Sequence, residues 1–401
     1  MKKRKDKERL LLLSEQDASM LMYCASLSRY QIVVAGKSER NQKIRYHPYC
    51  SKFIPLQNEL SADSDTTALA GELEQIIRDE AIDVLMPSSF DCIKVIARHR
   101  ARLEGLCAVM PVADFDTINI LDNKFSFYQF CQRFGLAHPE SVHFDSAAAL
   151  DSQEFDDGMF PALWKPVWGA GEKLLRFENR AEFENSRKQL KARAEKLFPA
   201  LLQKYFDGED IDFNGFAVNG GLHASSVMRT TYCRNGKCDF DLTDFVHHPD
   251  VDRLGRAVVA LSNFSGPLNI DMRIDAENGQ VYLIEVNPRF WNRTAVSLMD
   301  GQNYVDIGVA LARGERLSVP SRRSDLCWIS AVADVFKSLV LTGDITVLLI
   351  LGRLSMEQFR FLTYTSYANT RAFVRRHAGS LRAAVVGMRW NRRFVRRASV
   401  T

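Results

Sequence analysis

Ile284-Glu285-Val286-Asn287-Pro288-Arg289 is the stretch on which the reading of this chain turns. On a strand, side chains alternate between the two faces, so Glu285 and Asn287 share one face and Ile284 and Val286 the other. A carboxylate set between two apolar strand residues is costly to bury unless a positive partner meets it. Asp271 lies fourteen residues earlier, across the Asn278-Gly279 turn of a predicted hairpin formed by Asn269–Ile274 and Val281–Val286. That spacing sets it on the neighbouring strand. Asp275, at the hairpin end, is its rival. Two carboxylates and the neutral Asn287 carbonyl are hard oxygen donors of the kind magnesium takes when it bridges to phosphates.

Three more segments complete a phosphate-binding set. Leu121-Asp122-Asn123-Lys124 places a lysine in the opening turn of a predicted helix, Asn123–Phe134, which Gly135 and Pro139 end. Trp164-Lys165-Pro166 precedes Val167-Trp168-Gly169-Ala170-Gly171, a strand running into a turn, with Leu174–Phe177 as the returning strand. Gly169 and Gly171 lack a Cβ and let backbone N–H groups come close to phosphate. Lys124 and Lys165, distant in sequence, can converge on phosphate oxygens as point charges. The last segment is Gln203-Lys204-Tyr205-Phe206-Asp207-Gly208-Glu209-Asp210.

Together these residues resemble the ATP-grasp superfamily, specifically its carboxylate–amine ligases with a carbamoyl-phosphate-synthase-like ATP-binding fold. The similarity spans roughly Leu10 to Leu311, and its most specific elements are Glu-x-Asn-Pro-Arg at 285–289 and Gln-Lys-Tyr-Phe-x-Gly-x-Asp at 203–210. The resemblance implies that Lys124 and Lys165 contact ATP phosphates. It implies that the backbone of Lys204 and Phe206 meets the adenine edge beside Gln203, and that Asp210 holds the ribose hydroxyls, with Asp212 as an alternative. Asp271, Glu285 and Asn287 would be the magnesium ligands, for two ions that manganese can replace. Arg289, with Lys165, would be catalytic, facing the transferred phosphate or the acceptor carboxylate. The implied reaction converts a small-molecule carboxylate to an acylphosphate with release of ADP, then couples it to an amine. The alternatives are an ATP-binding scaffold without turnover and an ATP-grasp phosphotransferase. This chain departs from the family in Glu172 within the phosphate loop, in Gln203 where glutamate is commoner, and in Asn292-Arg293.

The rest of the sequence fits around this centre. Leu10–Leu13, Gln31–Ala35, Ile82–Met86 and Cys107–Met110 are apolar runs of strand length. Ala18–Arg29 and Thr66–Arg78 carry helical spacing between them. That rhythm predicts a doubly wound parallel sheet. Phe213–Val218 and His223–Val227, around Asn219-Gly220-Gly221, predict an antiparallel hairpin. The expected fold is therefore α/β followed by α+β. It comprises a pre-grasp α/β domain at 1–115 and an ATP-grasp domain at 116–325, with a small lobe about 116–200 and a large lobe about 201–325. A basic helical extension at 326–401 completes it, with helices at Ala331–Leu341, Met356–Arg376 and Leu381–Val400.

The 401 residues are 46% hydrophobic and 25% charged, a composition that excludes disorder and a disulfide-dense miniature. The net charge of +4 hides a basic start and a stretch from Gln358 to Thr401 with ten arginines and no lysine or acid. That end is expected to dock on the acidic body or to meet anionic lipid headgroups; no nucleic-acid motif accompanies it. The eight cysteines are scattered, and Cys233 and Cys238 alone make a poor zinc signature. Leu10–Leu13 is too short for a signal-peptide core and Ile345–Leu351 too short to span a bilayer. A cytoplasmic setting is expected, with membrane association through the arginines. Arg229, Arg273, His247 and His248 are further candidates with surface roles as rivals. The sequence leaves the oligomeric state and the identity of acid and amine open.

Overall fold

In the computed structural model, residues 7–15, 27, 29–37, 44–46, 49–62, 64–169, 174–234, 239–291, 293–298, 301–315 and 327–329 are described. The expected helix from Ala18, the three C-terminal helices, Gly171, Glu172 and Asn292 lie outside them. The chain divides into two units, one holding the described residues up to Met110 and the other those from Pro111.

The first unit is built on five parallel strands: β1 (Glu8–Ser14), β2 (Tyr30–Gly36), β3 (Cys50–Pro55), β4 (Val84–Pro87) and β5 (Ala108–Val109). Their order is β3-β2-β1-β4-β5, with β1 hydrogen-bonded on both sides. Leu10 to Leu13 have no exposed surface because a central parallel strand is covered on both faces, which explains the unbroken apolar run. Helix Thr67–Asp79 turns Leu69, Ala70, Leu73, Ile76 and Ile77 inward. Helix Phe90–Glu104, capped by Ser89, was not foreseen. Nor was β3, an edge strand whose residues are mostly half-buried or exposed and so show no apolar signal.

Two antiparallel sheets form the second unit. The smaller contains β6 (Ser141–Phe144), β7 (Ala162–Pro166), β8 (Leu175–Phe177) and β9 (Ala200–Lys204), in the order β6-β9-β7-β8. Phe144, Trp164, Phe177, Phe183, Leu190 and Leu202 pack into its core, and Trp164 Nε1 donates to the Leu197 carbonyl at 3.2 Å.

The larger sheet holds β10 (Gly208–Val218), β11 (Gly221–Arg234), β12 (Asp239–Phe245), β13 (Gly266–Asp275), β14 (Val281–Asn287) and β15 (Cys327–Ile329). Their order is β14-β13-β10-β11-β12-β15. Both expected hairpins are present. Asn219 and Gly220 take φ of 47° and 73°, the left-handed pair that a two-residue hairpin turn demands. One face of the sheet is apolar: Ile211, Phe213, Ile270, Met272, Leu283 and Val286 are almost wholly buried. Helix Pro249–Leu261 packs there so closely that a Cβ on Gly255 would sit 2.3 Å from the Phe213 ring. The opposite face carries the polar residues. Among the described residues no helix is long and apolar enough to cross a membrane.

Candidate functional site

Three neighbouring strands of the larger sheet each bring an acid and an amide two residues apart. These are Asp212 and Asn214 on β10, Asp271 and Asn269 on β13, and Glu285 and Asn287 on β14. Strand pairing sets Asp212 opposite Asp271 and Asp271 opposite Glu285. It likewise sets Asn214 opposite Asn269 and Asn269 opposite Asn287. An acid row and an amide row thus run side by side on one face.

The acid row is electrostatically strained. Burial, followed by the charges of Asp212 and Glu285, raises the Asp271 carboxyl well above the ordinary aspartate range. Asp271 is in hydrogen-bonding contact with both neighbours. Burial also raises Asp212, to about 6, against the pull of Arg293, whose guanidinium is 3.6 Å away. Burial pushes Glu285 the same way, but Lys124, a hydrogen bond from Asp271 and Lys165 together hold it below the usual value.

Lys124 opens helix Lys124–Phe134, whose N-cap is Asn123. Its Nζ lies 3.3 Å from Glu285 Oε2 and donates to the Gly169 carbonyl at 3.1 Å. The lysine therefore ties the turn after β7 to the acid row. Gly169 has φ of 92°, which a glycine adopts freely. Lys165 on β7 is 7% exposed, and its Nζ donates to Gln203 Oε1 at 2.5 Å. Burial lowers its pKa to about 8, opposed by Glu285 and reinforced by Lys124. Gln203 in turn donates to Ser141 Oγ at 3.3 Å. His138 is held near 4, chiefly by burial, with the Lys165 charge adding to the effect.

Arg289 reaches back over the amide row. Its Nη2 donates to Asn287 Oδ1 at 2.8 Å and its Nη1 to the Phe290 carbonyl at 3.2 Å. Arg273 organises the segment after β9: its Nε donates to the Phe206 carbonyl at 3.1 Å, it pairs with Asp210, and it lies against the Tyr205 ring. Arg176 covers Tyr205 at 4.1 Å. Lys204 has an exposed side chain and a backbone N–H that donates to the Glu140 carbonyl at 2.8 Å.

The fold thus gathers Lys124, Lys165, Gln203, Asp271, Glu285, Asn287 and Arg289, whereas Asp210 is half-exposed and engaged by Arg273. Asp275 accepts from the Glu277 N–H and the Asn278 side chain, so it shapes the turn rather than joining the row. Arg229, 41% exposed, pairs with Glu209 and Asp244. His248 precedes helix Pro249–Leu261 as its N-cap residue. Asp212 belongs to the acid row, a place the sequence reading did not give it. The amides Asn269 and Asn214 went unnoticed, although the repeated acid–amide spacing on three strands was there to be read.

The donor set fits a hard divalent cation. Asp271 and Glu285 face each other in a half-buried place with a proton held between them on Asp271, and a cation there would take that proton's place. Among the described residues no three His, Cys, Asp or Glu side chains form a metal-holding group; the candidate donors are the carboxylates of Asp271 and Glu285 and the Asn287 amide.

No protein-family model matches the chain, and no curated protein matches it in sequence. Solved structures do match in fold. An N5-carboxyaminoimidazole synthetase from Staphylococcus aureus has a TM-score of 0.58 and 16% identity, over 80% of this chain and 81% of its own. An L-amino acid ligase from Bacillus licheniformis matches with a TM-score of 0.58 and 18% identity, over 76% of this chain and 74% of its own. The biotin carboxylase domain of a 2-oxoglutarate carboxylase from Hydrogenobacter thermophilus, solved with MgADP, ADP and bicarbonate, has a TM-score of 0.58. Its identity is 16%, over 80% of this chain and 73% of its own. The chain has the ATP-grasp fold, an α/β architecture joining a parallel sheet to antiparallel ones, which these enzymes share.

Proposed function

We propose that this protein is a Mg-ATP-dependent ligase that activates a small-molecule carboxylate as an acylphosphate and couples it to an amine. The observation that supports this most is the opposed pair Asp271 and Glu285, with Lys124 linking Glu285 to the Gly169 turn. The names of the matched structures, which include an amino acid ligase and a carboxylase domain bound to MgADP, point the same way.

Lys124 and Lys165 would take phosphate oxygens as ATP arrives. Gln203 and the backbone of Lys204 and Phe206 would meet the adenine, and Asp210 the ribose. Asp271, Glu285 and Asn287 would hold magnesium, as two ions or with manganese in its place, and the cation's contribution is to neutralise charge on the triphosphate. The substrate carboxylate attacks the γ-phosphorus, a new P–O bond forms, and ADP leaves. The amine then attacks the acyl carbon, phosphate departs with the C–O bond electrons, and the nitrogen loses a proton. Arg289, placed by Asn287, would face the phosphate being transferred. Positioning and charge suffice for this chemistry, with no covalent enzyme nucleophile.

For the domains, we assign 1–115 to the pre-grasp part, 116–325 to the nucleotide-binding part and 326–401 to a basic extension, whose start at Cys327–Ile329 pairs with β12 and so belongs to the larger sheet. The arginines from Gln358 onward would contact acidic protein surface or anionic lipid, which vesicle sedimentation with and without that segment would distinguish.

Following ADP release over panels of acids and amines tests the proposal. Release that needs both substrates, yields their condensation product by mass and is lost in Lys165→Ala and Glu285→Gln supports it. A phosphorylated product without amide formation indicates a phosphotransferase. Tight nucleotide binding with no release across the panels indicates a scaffold.

A further inference from the structure

The amide row beside the acids forms a continuous chain of hydrogen bonds with a single direction. Asn287 Nδ2 donates to Asn269 Oδ1 at 3.0 Å, and Asn269 Nδ2 donates to Asn214 Oδ1 at 3.1 Å. Asn287 Nδ2 also reaches Asp271 Oδ2 at 3.2 Å. Each amide therefore turns its nitrogen inward along the row, and the Asn287 oxygen is left facing outward on the Arg289 side. Asn269 and Asn214 are 6% and 0% exposed, so water does not compete for them. The row ends on Asn214 Nδ2, a buried donor with no hydrogen-bond partner among the described residues. Leaving a buried donor unpaired costs free energy.

The direction of the row is nonetheless determined at its outer end. Arg289 has donors only, and its Nη2 sits 2.8 Å from Asn287 Oδ1. Reversing the three amides would set the Asn287 nitrogen against that guanidinium and its oxygen against Asp271. Two like-polarity contacts would replace two good bonds, a larger loss than the one orphaned donor at Asn214.

We propose that Asn269 and Asn214 are positioning residues, which hold the Asn287 carboxamide with its oxygen presented to the cation beside the acid row. This rests on the reading of Asn287 as a cation ligand. Both asparagines would act through Asn287, to which the row connects them. Partners that orient a metal ligand typically contribute about ten- to a hundredfold in metal affinity.

The test is a titration of Mn2+ by electron paramagnetic resonance in the presence of ADP, on the full chain and its variants. Asn269→Ala removes the acceptor for Asn287 and is expected to weaken Mn2+ binding about tenfold. Asn269→Asp keeps that acceptor and is expected to restore most of the affinity. Asn214→Ala is expected to weaken binding less, in the same direction, and stands in for Asn269→Ala if that variant does not fold. ADP binding without metal should be unchanged in all three. Asn287→Ala is the control, and Asn269→Ala added to it should bring no further loss, because the two act as one unit. Loss in Asn287→Ala without loss in the Asn269 or Asn214 variants overturns this inference and leaves the ligand reading standing. Unchanged Mn2+ binding in Asn287→Ala overturns the ligand reading itself, and this inference with it. Losses that simply add in the double variant reduce the row to a structural role and also overturn the inference.

Discussion

The parallel sheet of the first unit and the larger sheet of the second treat polarity in opposite ways. In the first, β1 is apolar from Leu10 to Leu13 and buried throughout. In the second, each of β10, β13 and β14 is divided, with Phe213, Ile270 and Leu283 on one face and acids and amides on the other. A strand covered on both faces can spend every residue on packing. A strand covered on one face can assemble side chains from distant segments without leaving the ladder. The candidate chemistry lies on the second kind of surface, where cross-strand register places charges side by side.

Substitutions should separate the two surfaces, and the largest effect is expected at the acid row. Glu285→Gln should lower ATP-dependent turnover about a hundredfold or more while circular dichroism stays native, since it removes a positioned charge and keeps the shape. Leu12→Ala should do the reverse: a cavity in the covered sheet costs about 2–5 kcal/mol, read as an earlier denaturant transition, with ADP affinity retained.

A third contrast is in pH. Burial holds Lys165 at about 8 instead of 10.5, so its charge fades within an accessible range. Between those values the unfolded chain binds a proton that the native chain does not. This group's contribution to stability therefore rises with pH through that window. ADP affinity should fall over the same rise, by up to about tenfold per pH unit above 8, and Lys165→Met should flatten the profile. The smallest effect belongs to Arg229→Ala, an exposed ion pair, which should change stability by no more than about 0.5 kcal/mol and leave ADP affinity as it was.

Much of this was legible because the relevant contacts are local. Asp271 and Glu285 are joined by a short hairpin, so their pairing follows from the turn. The Leu10–Leu13 run announces a covered strand, and Asn219-Gly220 announces its hairpin. Asp212 was not legible in the same way. It pairs with Asp271 across β10 and β13, which are separated in sequence by two strands and a helix, so no turn sets their register. Strand β3 was missed because an edge strand lacks the burial that writes an apolar pattern. The link between Lys124 and the Gly169 turn also depends on tertiary packing, which spacing does not encode.

A crystal structure with a non-hydrolysable ATP analogue and Mn2+ tests the central claim most directly, through the anomalous signal of the metal. The account predicts a peak between the carboxylates of Asp271 and Glu285, with the phosphates against Lys124 and Lys165. A peak away from these side chains, or a nucleotide bound elsewhere on the protein, would contradict it.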